Sequence, residues 1–350
     1  MMGRKGKIGI LKQVQSDPQL LENWNKLPAD KQEYFRQVDE KKLVPNILSD
    51  IIFKTVFDPS INPKRISRLI SSILGKEISV IRSLDKEGIH LSENSKGVIL
   101  DVVVEFDDGS VADVEIQREG VKIPPQRAAT YSANLLTRQY AVEKGEDKKD
   151  IDFRKLRPVY TIVIMEKSPE PFSHSPECVH HFRQRSDTGV EIDHGFELLQ
   201  YYDFISLDIF RERRPHVASM LQVWLDFLSI KDVDEMERFL DDKPEFKVIY
   251  DQAVKMMVGR EELLIMFQEL FAEEDIGKTI ALAMESEARE ELEKAKLQIR
   301  TQDEQIRSQD EQIHILNDQV STQKDQIQLL MEQNKSKDSY IRELEKQLTN

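Results

Sequence analysis

The chain has 350 residues, a formal net charge of −14 and an isoelectric point near 5.2. Hydrophobic residues make up 39% of it and charged residues 33%, which is typical of one or two globular domains joined to a solvated segment. This acidity gives no overall attraction for nucleic acid, although a local basic groove is compatible with it. Cys178 is the only cysteine, and no apolar run reaches about eighteen residues, so we expect no intrachain disulfide, no membrane span and a cytoplasmic protein.

Residues 1–42 are predicted to form a peripheral N-terminal arm. Asp17-Pro18 and Pro28-Ala-Asp30 each suit the start of a short helix, because proline is favoured at the first helical position. A partly disordered arm is the alternative.

Strands and helices alternate through the middle of the chain. The apolar spacing predicts, in order, helices at 47–57 and 63–75, a strand at 78–84, a hairpin at 100–119, a helix at 126–143, buried strands at 159–164 and 204–210, and helices from 215 to about 280. Asp58-Pro59 ends the first helix, Gly75 ends the second, and Trp224 and Phe227 are predicted core residues. This order indicates an α/β or mixed sheet core.

The C-terminal segment from Gln298 repeats with a period of seven residues. If Ile299 is position a, the a series is Ile299, Ile306, Ile313, Val320, Ile327, Asn334, Ile341 and Leu348. Isoleucine at a predicts a coiled coil, whereas a lone solvated helix would not keep β-branched residues at this spacing. The d positions Gln302, Gln309 and Gln323 weaken the seam, and Asn334 favours a parallel dimer.

The stretch Leu100 to Glu119 reads LDVVVEFDDGSVADVEIQRE and predicts a β-hairpin. Asp107-Asp108-Gly109 fits a three-residue loop with glycine in the left-handed position, which places Asp101 opposite Glu115. A loop that differs by one residue would place this pair diagonally. Because side chains alternate between faces, one face is wholly apolar. The other carries Asp101, Val103, Glu105, Val111, Asp113, Glu115 and Gln117.

The acids on this face should repel one another, which would destabilise the hairpin. Two carboxylates about 5 Å apart repel by roughly 3 kcal/mol at an effective dielectric constant near 20. A divalent cation would reverse that sign, and Mg²⁺ typically takes one or two carboxylates plus water and phosphate oxygens. The hairpin therefore indicates either a metal site that would bind phosphate or the solvated face of an edge hairpin, where acids are common.

The order of an aspartate, a hairpin and a Glu-x-Lys motif is the signature of PD-(D/E)XK nucleases, which this hairpin resembles. Gln in place of Lys, as in Glu115-Ile116-Gln117, resembles the branch of PD-(D/E)XK family transposases, or recombination-promoting nucleases. Further segments resemble that branch in order: Asp50–Phe57 its opening helix, Arg127, Tyr131 and Gln139 its next helix, Arg157–Ile164 its following strand, and Val223–Leu228 its helical extension. The resemblance covers roughly residues 43 to 260, and the ordered set is more specific than Glu-x-Gln alone.

The resemblance implies a restriction-endonuclease-like mixed sheet flanked by helices, and hydrolysis of DNA with Mg²⁺ or Mn²⁺. Asp101 and Glu115 would hold the metal, helped by the Ile116 carbonyl. Gln117 would replace the lysine that positions the attacking water. An amide can donate a hydrogen bond, but it supplies no positive charge.

The missing charge has three candidate sources, which are Lys54, Lys122 and Arg127. Asp50 is a candidate further carboxylate from the first helix. Its alternative role is that of an N-terminal acid that interacts favourably with the helix dipole. A zinc site is also conceivable at His174, Cys178, His180 and His181, but their spacing matches no standard closed site.

We therefore expect four segments: an N-terminal arm at 1–42, a nuclease-like core at 43–212, a helical extension at 213–284 and a coiled coil at 285–350. The predicted function is that of a Mg²⁺-dependent DNA endonuclease that forms a homo-oligomer through residues 292–348. A non-catalytic interaction protein, in which the coil is the working part, is the rival. A phosphatase or another Mg²⁺-dependent phosphoester hydrolase is a third possibility.

Overall fold

The computed structural model describes residues 6–84, 101–119, 125–144, 152–184, 186–188 and 198–348. The helices are α1 (Ile10–Ser16), α2 (Pro18–Lys26), α3 (Ala29–Asp39), α4 (Asp50–Val56), α5 (Pro63–Leu74), α6 (Pro125–Lys144), α7 (Glu170–Ser173), α8 (Leu207–Arg213), α9 (Ser219–Ser229), α10 (Val233–Asp242), α11 (Lys247–Met256) and α12 (Arg260–Leu348). The strands are β1 (Val80–Ser83), β2 (Val102–Phe106), β3 (Val111–Glu119), β4 (Val159–Lys167), β5 (Val179–Phe182) and β6 (Gln200–Ser206).

The six strands form one mixed sheet in the order β1-β2-β3-β4-β6-β5. The pairs β1–β2, β2–β3 and β5–β6 are antiparallel, whereas β3–β4 and β4–β6 are parallel. Helices flank this sheet, so the predicted α/β architecture with a mixed sheet is confirmed. The β2–β3 hairpin occupies interior positions in the sheet, because β1 pairs with one side and β4 with the other.

The register of the hairpin agrees with the sequence prediction. Val102 pairs with Val114, and the Phe106 N–H donates to the Ser110 carbonyl at 2.8 Å. Gly109 has φ 81°, in the left-handed region where a side chain would be strained. The same register extended by one pair places Asp101 opposite Glu115.

Both faces of the hairpin are buried, which overturns the alternative of a solvated edge. Val104 and Val103 lie on opposite faces and each has 0% exposure. Helix α6 packs against β3 and β4, and it lies on the acidic side of the sheet, because the charge of its Arg127 acts on Asp113 and Glu115. Because β3 runs parallel to β4 with helices around the sheet, neither of its faces is left to solvent.

The two predicted helices before the sheet are confirmed as α4 and α5. Helix α5 buries Ile66, Leu69, Ile70 and Ile73, and Gly75 caps its end with φ 66°. The predicted core residues Trp224 and Phe227 are buried on α9.

Residues 10–39 are not peripheral, as the sequence suggested, but contribute to the hydrophobic core. The Asp17 side chain caps α2 as expected, accepting from the Gln19 and Leu20 N–H groups at 2.9 and 3.0 Å. Trp24 and Phe35 pack against Phe267 of α12, with ring centroids 6.3 and 5.2 Å apart. The alternative of a disordered arm is therefore wrong for these residues.

The predicted strand at 204–210 is only partly correct. Strand β6 ends at Ser206, and Leu207 begins α8. The apolar residues of this run are buried in both elements, and a short apolar run does not distinguish a buried strand from a buried helix. The edge strand β5 was not predicted.

Residues beyond 215 are helical, as predicted, and end in the long helix α12. The chain divides into two compact units, Met1–Ala272 and Glu273–Asn350. Among the described residues, no helix combines the length and apolar character needed to cross a membrane.

Candidate active site

Asp101 and Glu115 lie opposite each other at the start of the hairpin, where backbone N–H groups donate hydrogen bonds to both carboxylates. The Asp101 N–H donates to Glu115 Oε1 at 3.1 Å, and the Ile116 N–H donates to Asp101 Oδ2 at 3.1 Å. The two residues are 7% and 1% exposed. The register thus brings together the two acids that the sequence singled out.

Asp113 is the acid that sequence reasoning left out of the site. It is completely buried, and no backbone or basic group that the structure describes donates to its oxygens, so its side-chain hydrogen-bond partner is the neighbouring carboxyl of Glu115. Burial, and then repulsion from Asp101, raise the pKa of Asp113 well above its usual range. Burial, Asp113 and Asp101 raise the pKa of Glu115 to about 10. Without a bound cation, the pair Asp113 and Glu115 therefore holds a proton at neutral pH.

Glu105, on the same face, does not belong to this cluster. Its Oε2 accepts from Arg82 Nε of the neighbouring strand β1 at 2.8 Å. The ion pair with Arg82 therefore explains why Glu105 is present on this face without a role in a metal site.

Lys54 places an ammonium group directly on the cluster. Its Nζ lies 2.8 Å from Asp101 Oδ1 and 3.0 Å from Asp50 Oδ2. Burial disfavours the charge of Lys54, but attraction by the Asp101 and Asp50 carboxylates outweighs burial and raises the pKa of the ammonium. Lys122, another candidate source of charge, lies outside the described residues.

Asp50 is the first residue of α4, so both of its expected roles agree with its position. A second acid, Glu269 of α12, caps this short helix. Its Oε1 accepts from the Ile51 N–H at 3.0 Å, and its Oε2 accepts from the Ser49 hydroxyl at 3.3 Å. Burial, followed by repulsion from Asp50, raises the pKa of Glu269 to about 7. No local sequence pattern signals this contact, which joins residues 218 positions apart.

Arg127 lies close enough to the cluster for its charge to lower the pKa values of Asp113 and Glu115, which opposes the effect of burial. Its Nε donates to the hydroxyl of Tyr131, one turn along α6. Gln117 is half-buried and follows Glu115 on the same face of β3. The structure thus brings Gln117 and Arg127 to the acidic face from a strand and from the helix that covers it.

Two other candidates have structural roles. The Gln139 side chain accepts from the Arg157 N–H at 2.8 Å and donates to the Arg157 carbonyl at 3.1 Å, which fixes the chain just before β4. The zinc candidates do not converge on one point. Cys178 is buried in the core, the ring of His180 lies 4.9 Å from that of Phe172, and His181 pairs with Asp203.

A six-stranded mixed sheet flanked by helices, with paired acids on a central hairpin, is consistent with the PD-(D/E)XK nuclease fold. The sequence model of the family described as PD-(D/E)XK nuclease family transposase matches residues 47–283. The chain belongs to this family, and the matched range includes the acidic cluster, Lys54, Gln117, Arg127 and Glu269. No curated protein and no solved structure shows a significant match to the chain.

The raised pKa values generate a prediction about stability. Because the folded state holds protons that the unfolded state releases above about pH 4.5, the free energy of unfolding should fall as pH rises from there towards about 10. Asp113→Asn should therefore stabilise the metal-free protein by about 1–3 kcal/mol at pH 8 and by less at pH 5. Urea unfolding in EDTA at both pH values measures this, with the exposed turn variant Asp107→Asn as control. Equal effects of Asp113→Asn at both pH values would contradict the assignment.

Proposed function

We propose that the chain is a Mg²⁺-dependent DNA endonuclease that hydrolyses phosphodiester bonds. The observation that carries this proposal is the buried cluster of Asp101, Asp113 and Glu115 on one sheet face, in which Asp113 has no backbone or basic donor among the described residues and meets only another carboxyl, that of Glu115. Burying three acids side by side raises their pKa values and costs folding free energy at neutral pH, so folding alone does not explain the cluster.

The donors of this cluster suit a hard divalent cation. Carboxylate oxygens are the protein ligands of Mg²⁺, which takes one or two of them and completes its shell with water and phosphate, and Mn²⁺ also prefers oxygen ligands. Lys54 and the Ile116 N–H already contact Asp101, but each carboxylate oxygen has two acceptor sites and can serve a second partner. Asp101 and Glu115 are the residues that we assign to the cation. When bound there, it would lower the pKa of a water molecule and stabilise negative charge on the phosphate.

The remaining roles fall to three side chains. Gln117 lies two residues beyond Glu115 on the same face, where its amide can accept from and orient the attacking water. Lys54 supplies the positive charge that Gln117 lacks, because its ammonium already contacts Asp101. Arg127, one of the other candidates, acts as an auxiliary cation from α6.

Residues 292–348 are proposed to join two chains as a parallel coiled coil. In a single chain the a-position side chains are about half exposed, at 54% for Ile306, 55% for Ile313 and 53% for Ile327. Pairing would bury this apolar stripe, and Asn334 would fix the register. One active site cuts one strand, so a dimer would allow breaks in both strands of a duplex.

The rival function, a non-catalytic module that works through the same coil, is favoured by the neutral Gln117 and by the net charge of −14, and the retained pair Asp101 and Glu115 opposes it. The nuclease proposal predicts activity that depends on the acids, and the rival predicts none. For either function the cytoplasm is the proposed compartment, because the lone buried Cys178 needs no oxidising environment.

Asp101→Ala or Glu115→Ala should abolish Mg²⁺-dependent nicking of supercoiled plasmid and leave the fold intact, because each removes a proposed metal ligand but no apolar contact of the core. Glu105→Ala, which removes an acid of the same face that is paired with Arg82, is the matched control and should keep activity. Mg²⁺ at a tenfold excess over its Kd should raise Tm by roughly 3–6 °C in the native protein and not in the double variant Asp101→Asn, Glu115→Gln. Nicking by Asp101→Ala at the native rate would exclude this site.

Substitutions of Gln117 test its role in orienting water. Gln117→Leu has a similar size but no hydrogen-bonding group, so the nicking rate should fall roughly 100-fold. Gln117→Lys restores the commoner residue of the motif and should retain or raise activity. Equal rates for the native protein and Gln117→Leu would remove Gln117 from the mechanism.

Truncation before Ala288 should give a monomer that nicks plasmid but makes fewer double-strand breaks, because it removes the heptad segment. Light scattering together with a plasmid assay measures both effects. Asn334→Ile should stabilise the coil and loosen its choice of oligomer. A full-length chain that is monomeric at tens of micromolar would contradict the proposal.

A further inference from the structure

An open cleft of about 720 Å³ at the N-terminal end of α5 has a charge opposite to that of the chain. Lys64, Arg65, Arg68 and Lys243 line it, and Glu245 is the one acid among the described lining residues. Lys243 pairs with Asp242 at 2.8 Å, so among these described residues the unpaired positive charge lies on α5. The rest of the wall is largely apolar: Met220, Val223, Trp224, Phe246, Val248 and Ile249. The chain as a whole has a net charge of −14. This local concentration of positive charge makes the cleft a candidate site for an anion.

The charges of α5 oppose its own folding. Its first turn contains no acid, and it includes Lys64 and Arg65, whose charges are unfavourable near the positive end of the helix dipole. Lys64 and Arg68 are four residues apart, a spacing at which like charges repel. Neither forms an ion pair with any residue that the structure describes, whereas Lys247 and Asp251 on α11 do pair at this spacing. A bound anion would turn this unfavourable arrangement into a favourable one.

Arg65 connects the cleft to the acidic cluster through α4. It is 8% exposed, and its Nη1 donates to the carbonyl of Val56 and to Gln252 Oε1, the latter at 2.9 Å. Val56 ends α4, two residues beyond Lys54, whose ammonium contacts Asp101. Along the helix axis Lys54 and Val56 are separated by only about 3 Å, so one short helix joins the two sites.

We propose that this cleft binds the phosphate backbone of the DNA substrate a few nucleotides from the phosphate that reacts at Asp101. The inference rests on the proposed function and adds to it a second, sequence-independent contact. Successive phosphates of one strand rise by about 3.4 Å along the duplex axis, so a strand that occupies the acidic cluster has other phosphates within reach of α5. Lys64 and Arg68 are the contacting residues, and Arg65 holds the wall of the cleft in place.

Salt-dependent DNA binding tests the proposal. The full-length chain is titrated with a labelled duplex in EDTA, which prevents cleavage, at several salt concentrations. The variant Lys64→Gln, Arg68→Gln should lower the slope of log K against log salt by about 0.9 for each phosphate that is no longer neutralised, or about 1.8 in total. Arg65 is left intact because it is buried. The control Lys26→Gln, Lys31→Gln makes the same charge change at an exposed and a half-buried lysine that pair with Glu22 and Asp30, and it should leave the slope unchanged.

Each other outcome overturns the proposal. An unchanged slope in the Lys64, Arg68 variant, or an equal fall in the control, would remove the cleft from DNA binding. A Tm increase with inorganic phosphate that is absent in the variant, together with an unchanged slope, would assign the cleft to free phosphate instead. If the native chain does not bind DNA, the nicking assay distinguishes failure of the cleft assignment from failure of the proposed endonuclease function. Nicking that persists removes only the cleft assignment, whereas its absence removes the proposed function as well.

Discussion

Two backbone N–H groups hold the acidic pair together across the hairpin, and the rest of the candidate site is arranged around them. The Asp101 N–H donates to Glu115 Oε1, and the Ile116 N–H donates to Asp101 Oδ2, each at 3.1 Å. These bonds depend on the strand register, which the turn at Gly109 sets. A shift of this register would break both hydrogen bonds and separate the two carboxylates. The turn therefore fixes the position of the acids even though it lies at the far end of the hairpin.

Helix α4 is the second element on which the site depends, because it brings a cation to the acids. The helix has only seven residues, so its own backbone hydrogen bonds contribute little to its stability. Contacts from two other helices hold both of its ends: Glu269 of α12 accepts from the Ile51 N–H, and Arg65 of the neighbouring α5 donates to the Val56 carbonyl. Lys54 thus sits on a short helix whose orientation is fixed from α12 and α5.

Local chemistry made part of this structure predictable. The Gly109 turn gave the hairpin register, Pro63 and Gly75 marked the ends of α5, and alternation gave the two faces of β2 and β3. The burial of Asp113 was not predictable, because alternation indicates which side chains share a face and not whether a helix covers it. The contribution of α1–α3 to the core and the Glu269 contact also escaped prediction, since both join residues far apart in sequence. The strand predicted at 204–210 was only partly correct for a different reason: its apolar residues suit a strand and a helix equally.

The packing of Trp24 and Phe35 against Phe267 has a consequence for the order of events during protein synthesis. The first helices leave the ribosome early, but their partner on α12 is translated more than two hundred residues later. Helix α4 also lacks its Glu269 cap until that point. A nascent chain that already contains every acid of the hairpin therefore cannot complete this fold.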